Sequence, residues 1–119
     1  MTIPEIAARV VELNRIGDHE TVYRELYTPD AVSIENWGGK PERYEGLEAI
    51  GKKAEGWMES VSEMHEVVVG EPIISDSSFA MTFSMDITYK DAAMGRQKMT
   101  ELAIYTVKDG KIIEEEFRA

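Results

Sequence analysis

The sequence predicts an α+β domain, with three N-terminal helices packed on one face of a curved, mostly antiparallel sheet. Apolar residues recur at a helical spacing up to Val61, and from Met64 onward they alternate with a period of two. Asp109-Gly110 lies between two alternating segments, where it supplies the positive φ values of a tight hairpin. The 119 residues fit one domain, residues 1–119.

The first two helices are predicted from their ends as well as their apolar faces. Thr2 and Glu5 form a capping-box pattern, and Gly17 can end the first helix in the left-handed conformation. Asp18 caps the second helix, which ends at Thr28-Pro29-Asp30 because the residue before a proline avoids helical geometry. Their predicted buried faces are Ile3, Ile6, Ala7, Val10 and Leu13, then Val22, Tyr23, Leu26 and Tyr27.

A short strand from Ala31 to Glu35 and a polar loop from Asn36 to Tyr44 precede the third helix, Leu47 to Ser60. The apolar face of this helix is predicted to contain Leu47, Ile50, Ala54, Trp57, Met58 and Val61. Lysines 52 and 53 are interpreted as solvated. The strands of the meander are predicted at His65–Ile74, Phe79–Tyr89, Gln97–Lys108 and Lys111–Arg118.

The composition excludes several functional classes. There are 13 Lys and Arg against 23 Asp and Glu, a net charge of −10, which opposes binding to nucleic acid. The absence of cysteine excludes thiolate chemistry, zinc ribbons and disulfides. No apolar run approaches the roughly 18 residues of a membrane helix, and the N-terminus has no signal-peptide pattern. We therefore expect a cytoplasmic protein with no membrane partner.

Two carboxylates fall on faces that the alternation predicts to be inward. Odd-numbered residues of Phe79–Tyr89 face the helices, and Asp86 faces away. The same reasoning turns Glu101 and Glu115 inward, among apolar residues. A buried carboxylate costs free energy unless it is hydrogen-bonded, paired or protonated, so both are candidates for a pocket. Alternatively, strand ends or a bulge expose them to water.

The final hairpin is predicted to bring Glu101 and Glu115 close together, so that their like charges raise at least one pKa. Neutralisation by a lysine, an arginine or a tyrosine hydroxyl is the alternative. In the last strand the inward set is predicted to be Ile113, Glu115 and Phe117, and the outward set Ile112, Glu114 and Glu116.

The outer face of the penultimate strand is also apolar. It presents Leu102, Ile104 and Thr106. A strand with two apolar faces in so small a domain predicts that a second copy covers the outer face, which makes a homodimer.

The sequence resembles the SnoaL-like group of the nuclear transport factor 2-like superfamily, which includes ketosteroid isomerases, scytalone dehydratases and polyketide cyclases. The resemblance covers essentially the whole chain. Its carriers, in order, are Leu13-Asn14-Arg15-Ile16-Gly17-Asp18, Leu26-Tyr27-Thr28-Pro29-Asp30-Ala31-Val32, Tyr44-Glu45-Gly46-Leu47-Glu48-Ala49-Ile50 and Val107-Lys108-Asp109-Gly110-Lys111-Ile112. The fold it implies is a cone, in which a strongly bent sheet wraps around three helices and leaves a deep, mostly apolar cavity.

The resemblance also implies site residues. In ketosteroid isomerases a first-strand carboxylate moves a proton, while a tyrosine and a protonated aspartate form the oxyanion hole. The matching carboxylate here is Glu35. The two oxyanion donors fall on Val10 and near Ala103, so neither is retained and steroid isomerase activity is doubtful. Glu101 and the Tyr105 hydroxyl are possible substitutes.

Further candidates come from residue type. His65 is either a proton shuttle or a satisfied, half-buried residue, whereas His19 is expected to be solvated. With two histidines, no ligand spacing and no glycine-rich phosphate loop, we expect neither metal nor cofactor. Trp37 is a candidate lid residue. The expected ligand-binding or core set is Tyr23, Trp57, Met81, Phe83, Met85 and Met99.

Two functional hypotheses remain from sequence. The first is a cofactor-independent enzyme that transfers a proton on a small hydrophobic carbonyl compound, in an isomerase, cyclase, dehydratase or hydrolase reaction. Its base would be Glu35, its acids or oxyanion donors Glu101 and Tyr105, and Glu115 and His65 would tune their charge. The second is a non-catalytic homodimer that binds a small hydrophobic ligand or serves as an interaction domain.

Overall fold

Three helices and seven strands make up the computed structural model, which describes residues 1–119. The helices are α1 (Ile3–Arg15), α2 (His19–Leu26) and α3 (Leu47–Ser60). The strands are β1 (Tyr27–Asn36), β2 (Glu42–Glu45), β3 (Val61–Val69), β4 (Ile73–Ile74), β5 (Ser78–Tyr89), β6 (Arg96–Lys108) and β7 (Lys111–Arg118). The predicted α+β class is confirmed.

The strands form one curved, open sheet in the order β2-β1-β7-β6-β5-β3, with β4 added beside β5. All pairs are antiparallel except β1 and β7, which run parallel. The first strand of the chain, β1, therefore lies beside the last strand, β7. This pairing places the C-terminal strand in the middle of the sheet, next to the strand that carries Glu35.

The predicted helix caps are present. The Thr2 hydroxyl accepts a hydrogen bond from the Glu5 amide, and the Glu5 carboxylate accepts one from the Thr2 amide. Asp18 caps α2 by accepting from the Thr21 amide at 3.1 Å. Gly17 has a φ of 74°, so it supplies the sharp turn that brings α2 back against α1.

The core lies between the helices and the inner face of the sheet. Its helical members include Ile6 and Val10 of α1, Leu26 of α2 and Ile50 of α3, and Phe79 of β5 packs among them. Of α3, only Ile50 is fully buried. One face of α3 is therefore free to line a cavity. None of the three helices is both long and apolar enough to cross a membrane.

Two predicted boundaries near the first strand are wrong. The first strand begins at Tyr27 rather than Ala31, because the extended backbone demanded before Pro29 continues directly from the end of α2. Tyr27 is therefore the first strand residue, although it is buried as expected. Part of the predicted loop, Glu42–Glu45, forms β2, which pairs with β1 at the edge of the sheet.

The third strand is also displaced from its prediction. It follows α3 without a loop, starts at Val61 and stops at Val69. Gly70 to Pro72 separate it from β4, since proline cannot donate to a strand ladder. A register shift between Met64 and Glu66 marks a bulge at His65.

A second bulge changes which residues of the last strand face inward. The pairing jumps from Thr106 with Glu114 to Val107 with Ile112, which leaves Ile113 as the extra residue. Ile112 and Glu115 are consequently both buried, at 0% and 1% exposure, and Ile113 is only half-buried. The predicted inward position of Ile113 is wrong, and that of Glu115 is confirmed.

Candidate functional site

A pocket of about 720 Å³ lies between the helices and the concave face of the sheet. Of its 26 lining residues, 17 are hydrophobic. All five tyrosines, both tryptophans and two of the three phenylalanines of the chain contribute to it. Concentration of the aromatic residues on one surface is typical of a small-molecule site rather than of a close-packed core.

Glu115 is the buried carboxylate of this pocket. Strand β7 holds it at 1% exposure. Its Oε1 accepts a hydrogen bond from the Tyr27 hydroxyl, and its Oε2 accepts one from Ser33 Oγ at 2.6 Å. Lys53 Nζ adds a third donor to Oε2 at 3.2 Å. Because both oxygens have hydrogen-bond partners, this carboxyl group is held in a fixed position.

Lys53 links the two carboxylates of the site. Its Nζ lies 2.7 Å from Glu35 Oε1 and 3.2 Å from Glu115 Oε2, and it donates to Ser33 Oγ at 2.7 Å. The side chain is 13% exposed. The ammonium also lies 5.0 Å from the ring centre of Phe117 and 5.5 Å from that of Tyr44, within the range of cation–π attraction.

Glu35 differs from Glu115 in having an unused oxygen. It lies near the end of β1, between Glu42 of β2 and Phe117 of β7. Oε1 meets Lys53, whereas Oε2 is buried and is the only buried side-chain oxygen or nitrogen in the chain without a hydrogen-bond partner. A buried acceptor without a hydrogen-bond partner lowers the stability of the folded protein. Such a group therefore calls for an explanation, and a catalytic role is one.

Glu101 of β6 is the third carboxylate that lines the pocket. No ion pair neutralises it. Burial, with a smaller contribution from the charge of Glu35, raises the pKa of Glu101 to about 7, although the charge of Lys53 opposes the rise. Its carboxyl group is therefore close to half protonated near neutral pH and can either donate or accept a proton there.

Two tyrosine hydroxyls line the pocket without engaging another side chain. Tyr105 is opposite Glu115 across the β6–β7 pair, and its ring stacks on Phe79 with 4.8 Å between the centres. Burial raises the pKa of Tyr105 well above its usual value, and burial likewise raises the pKa of Tyr23. Both hydroxyls consequently remain protonated at neutral pH and can donate hydrogen bonds.

No group of three or more His, Asp or Glu side chains is arranged to hold a metal ion. Lys53 lies between the carboxylates of Glu35 and Glu115.

The comparisons with known proteins agree with this arrangement of the fold. A family model for the SnoaL-like domain matches residues 1–118. The chain belongs to the SnoaL-like family.

Solved structures of similar fold include a candidate SnoaL-like polyketide cyclase, also labelled a carbohydrate phosphatase, from Mesorhizobium loti. It is 38% identical over 98% of both chains, with a TM-score of 0.88. A candidate SnoaL-like polyketide cyclase from Jannaschia sp. CCS1 is 19% identical, with a TM-score of 0.77 over 96% of this chain and 82% of that one.

A protein of unknown function with a cystatin-like fold from Xanthomonas campestris is 20% identical, with a TM-score of 0.76 over 98% and 89%. At these last two identities the likeness concerns the fold alone. No curated protein matches the sequence.

For this SnoaL-like protein, four of the five residues predicted as catalytic line the pocket described above: Glu35, Glu101, Tyr105 and Glu115. His65 does not line it. The bulge at this position turns the imidazole to the outer face, where Nε2 lies 2.7 Å from Thr88 Oγ1. The structure thus separates His65 from the carboxylates that it was expected to tune.

The predicted proximity of Glu101 to Glu115 is wrong in register. Tyr105 is opposite Glu115, and Glu101 lies four residues farther along β6. The register of the turn at Asp109-Gly110 accounts for three of these four positions, and the bulge at Ile113 accounts for one. The raised pKa of Glu101 is caused first by burial and next by Glu35, with Glu115 contributing least.

Five of the six residues predicted to bind a ligand or fill the core line the pocket: Tyr23, Trp57, Phe83, Met85 and Met99. Met81 is fully buried in the core instead. The positions that the resemblance assigned to the lost oxyanion donors, Val10 and Ala103, are core residues that do not reach the pocket. Trp37 lies at its edge, 47% exposed.

Sequence reasoning missed Lys53, Ser33, Tyr27 and His19 as residues of this site. Lys53 has a detectable signal, because it is three residues after Ile50 and four before Trp57, on the same face of α3. Ser33 alternates with Ala31 and Glu35 on β1, so its inward position is also readable. His19 is exposed, as predicted, but it also lines the pocket, where partial burial lowers the pKa of its imidazole.

Proposed function

We propose that the protein is a cofactor-independent enzyme that moves a proton on a small, hydrophobic carbonyl compound. The observation that supports this best is Glu35, a pocket carboxylate with one oxygen held by Lys53 and the other buried without a partner. Such a group is a ready proton acceptor. Glu101, with its pKa of about 7, provides a proton donor in the same pocket.

The proposed reaction begins with removal of a proton from the carbon next to the carbonyl group. The Glu35 carboxylate takes this proton, and the C–H electron pair forms the C=C bond of an enolate while the carbonyl oxygen becomes an oxyanion. Protonated Glu101 or the Tyr105 hydroxyl donates a hydrogen bond to that oxygen. Return of the proton to another carbon completes an isomerisation. In a cyclisation the enolate carbon instead attacks a second carbonyl carbon, so that the new C–C bond closes the ring, the first carbonyl forms again, and the oxygen of the second carbonyl takes the proton from Glu35.

The Mesorhizobium loti relative supports a reaction of this type, since it is a candidate polyketide cyclase at 38% identity. Cyclisation and isomerisation share the first step, proton removal next to a carbonyl. Glu115 would act as a positioning residue. Through Lys53 it fixes the carboxylate of Glu35.

The test uses deuterium exchange, which reports the first step alone. 2-Tetralone, a flat aromatic ketone with acidic α-protons, is incubated in heavy water with the protein, and loss of the α-proton NMR signals is followed. We expect exchange well above the buffer rate. In Glu35→Gln the enzymatic rate should fall by about 100-fold or more, as for loss of a general base.

Glu45→Gln provides the control, because Glu45 is exposed on β2 and pairs only with Arg43. Its exchange rate should stay within about twofold of the parent protein. Equal exchange in the parent and in Glu35→Gln would disprove the role of Glu35. No exchange despite binding of the ketone would favour the second function below.

The second candidate is a ligand-binding protein without catalysis. It is favoured by Glu115, whose oxygens are both saturated by neighbouring donors, and by the pairing of Glu35 with Lys53. Under this function the carboxylates are structural. Binding would be seen in the indole N–H signals of Trp37 and Trp57, both of which line the pocket, with no exchange of the ligand.

We further propose that two copies associate through the outer face of the sheet. Ile73 and Ile104 both pair with Ala80, and Leu102 lies beside this row opposite Thr82. Ile73 is 79% exposed and Leu102 is 38% exposed. Glu116 and Arg118 flank the apolar row on β7, an arrangement typical of an interface with a polar rim.

A further inference from the structure

The pocket carries more negative charge than its own cations balance. Four carboxylates line it, those of Glu35, Glu42, Glu101 and Glu115, and the ammonium of Lys53 lies among them. Lys53 pairs with Glu35 and Glu115 at 2.7 and 3.2 Å, whereas neither Glu42 nor Glu101 forms an ion pair. The surplus of negative charge favours a second cation in this pocket.

No other side chain of the lining supplies that cation. Arg15 is half exposed and pairs with Glu71 at 3.0 Å. Partial burial lowers the pKa of His19, so its imidazole is neutral at pH 8. Lys53 cannot serve Glu101 as well, because an ammonium has three N–H groups and this one already meets three oxygens, at 2.7, 2.7 and 3.2 Å.

The sheet register places the unpaired carboxylate of Glu101 near that of Glu35. Glu35 is opposite Phe117 on β7, Phe117 is opposite Ala103 on β6, and Glu101 is two residues from Ala103, on the same face. One strand therefore separates the two carboxylates, which both line the pocket. Burial first, and then the charge of Glu35, oppose ionisation of Glu101. A ligand cation beside Glu101 would offset both effects.

Aromatic faces in the same pocket remain free for a cation. The Lys53 ammonium lies over Phe117 and Tyr44, at 5.0 and 5.5 Å from the ring centres. The indole rings of Trp37 and Trp57 also line the pocket, and no cation of the chain lies over them. Indole attracts cations more strongly than the other aromatic side chains do. The combination of carboxylates and aromatic rings that already holds the Lys53 ammonium is thus available to a ligand a second time.

We infer that the ligand of this pocket carries a protonated amine on an apolar, ring-sized body, and that Glu101 is the carboxylate that receives the ammonium group. The inference rests on the proposed function above only in taking this pocket as the ligand site. Within that function it names the substrate class, amino carbonyl compounds. Glu35 remains the base, and the Tyr105 hydroxyl is then the donor to the oxyanion.

The test compares three ligands that share a naphthalene ring: 2-(2-naphthyl)ethylamine, 2-(2-naphthyl)ethanol and 2-naphthylacetate, which are cationic, neutral and anionic at pH 8. This pH lies above the pKa of about 7 of Glu101. Dissociation constants are measured in about 0.15 M salt, which screens distant charges, from the shifts of the two indole N–H signals. We expect the amine to bind about tenfold more tightly than the alcohol, and the acid to bind most weakly.

In Glu101→Gln the amine should lose most of that tenfold factor. Binding of the alcohol should change by less than about twofold, which also reports that the pocket of the variant is intact. Glu48→Gln is the matched control, because it removes the same charge from an exposed position on α3, where Glu48 pairs with Lys52. Its amine-to-alcohol ratio should equal that of the parent protein.

Equal binding of amine and alcohol by the parent protein would overturn the inference, as would failure of the amine to bind. An unchanged ratio in Glu101→Gln would overturn the role of Glu101. Equal losses in Glu101→Gln and Glu48→Gln would show that the net charge of the protein, rather than the pocket, attracts the amine.

These outcomes are separate from those of the exchange experiment. Preference for the amine without exchange of 2-tetralone contradicts the proposed catalysis and leaves the recognition of amines standing. Exchange of 2-tetralone together with equal binding of amine and alcohol contradicts the recognition of amines alone.

Discussion

Lys53 is the residue on which the charge balance of the pocket depends. Its ammonium forms ion pairs with two carboxylates, at 2.7 and 3.2 Å, one of which is almost fully buried. Removal of one partner from a buried ion pair leaves an uncompensated charge, which is far more costly than the net stabilisation of the intact pair. The same loss would release Glu35 from its fixed position.

We therefore predict that Lys53→Met lowers the free energy of unfolding by about 3 kcal/mol at pH 7. Methionine keeps the apolar stem that packs beside Phe117, so the loss reports the charge. The loss should shrink at pH 4, where the stranded carboxylates can take up protons. Urea unfolding at the two pH values measures both effects.

The neighbouring Lys52→Met is the control. Lys52 is 75% exposed and pairs with Glu48 only at the helix surface, where ion pairs contribute about 0.5 kcal/mol or less. Equal losses in the two variants would mean that the buried position of Lys53 has no energetic consequence.

Glu101 makes stability depend on pH in a direction opposite to that of most carboxylates. Its pKa is about 7 in the folded protein, against an ordinary glutamate pKa of 4.5 in the unfolded chain. Between these values the unfolded state releases the proton first, so the free energy of unfolding falls as pH rises from 4.5 to 7. The stabilisation is fully present below pH 4.5.

Glu101→Gln should remove that dependence. Relative to the parent protein, we predict that the variant gains about 2 kcal/mol of stability between pH 4.5 and pH 8, less than the full shift would give because Glu101 is only partly buried. Thermal unfolding in a pH series measures the gain. A constant difference between the two proteins across the series would contradict the raised pKa.

At the scale of the secondary-structure elements, the sequence predicted which segments are helices and strands better than it predicted their faces. Capping signals placed the starts of α1 and α2, since they depend on neighbouring residues alone. The bulges at His65 and Ile113 depend on pairing with distant strands, and one extra residue exchanges inward for outward positions. This is why the faces of His65 and Ile113 could not be predicted.

Substitution of two glycines by alanine would distinguish the effect of helix propensity on stability from the effect of tertiary packing. Gly56 lies in α3 with open space around it, whereas a Cβ on Gly70, just after β3, would lie 2.7 Å from Thr82 Oγ1. We predict that Gly56→Ala stabilises the protein by about 0.5–1 kcal/mol, through the gain in helix propensity. Gly70→Ala should destabilise it by about 1–2 kcal/mol, through the steric clash.

A double variant identifies the cause of the second effect. In a Thr82→Ala background, which removes the clashing hydroxyl, the cost of Gly70→Ala should fall by at least half. Chemical denaturation of the four proteins in this cycle gives the coupling. Additive costs would show that the clash with Thr82 is not responsible.

At the scale of the whole molecule, the resemblance predicted the fold, because four motifs in a fixed order constrain the arrangement of the helices and strands. The resemblance predicted fewer of the polar residues that line the pocket. Glu35, the residue that matches the carboxylate of the ketosteroid isomerases, lines the pocket. The positions that match their oxyanion donors, Val10 and Ala103, lie in the core. Lys53 lies outside all four motifs. Within one fold the polar residues of a pocket vary independently of the core that supports it.

The net charge of −10 also affects how two copies of the protein can associate. Like charge on two copies disfavours association, so a dimer must use a surface where the charge is low. The apolar row of Ile73, Ala80 and Ile104, with Leu102 beside it, provides such a surface on the outer face of the sheet.

We predict that the parent protein sediments as a dimer at micromolar concentration, and that Leu102→Glu sediments as a monomer with unchanged far-ultraviolet circular dichroism. A glutamate beside the apolar row would have to be desolvated in the dimer, whereas in the monomer it remains in water. Ile16→Glu adds the same charge at a residue that is 72% exposed at the end of α1 and is not part of the apolar row, so it should leave the dimer intact. A monomeric parent protein would mean that the outer face needs another explanation for its apolar residues. Equal dissociation by both variants would mean that net charge, rather than this face, controls association.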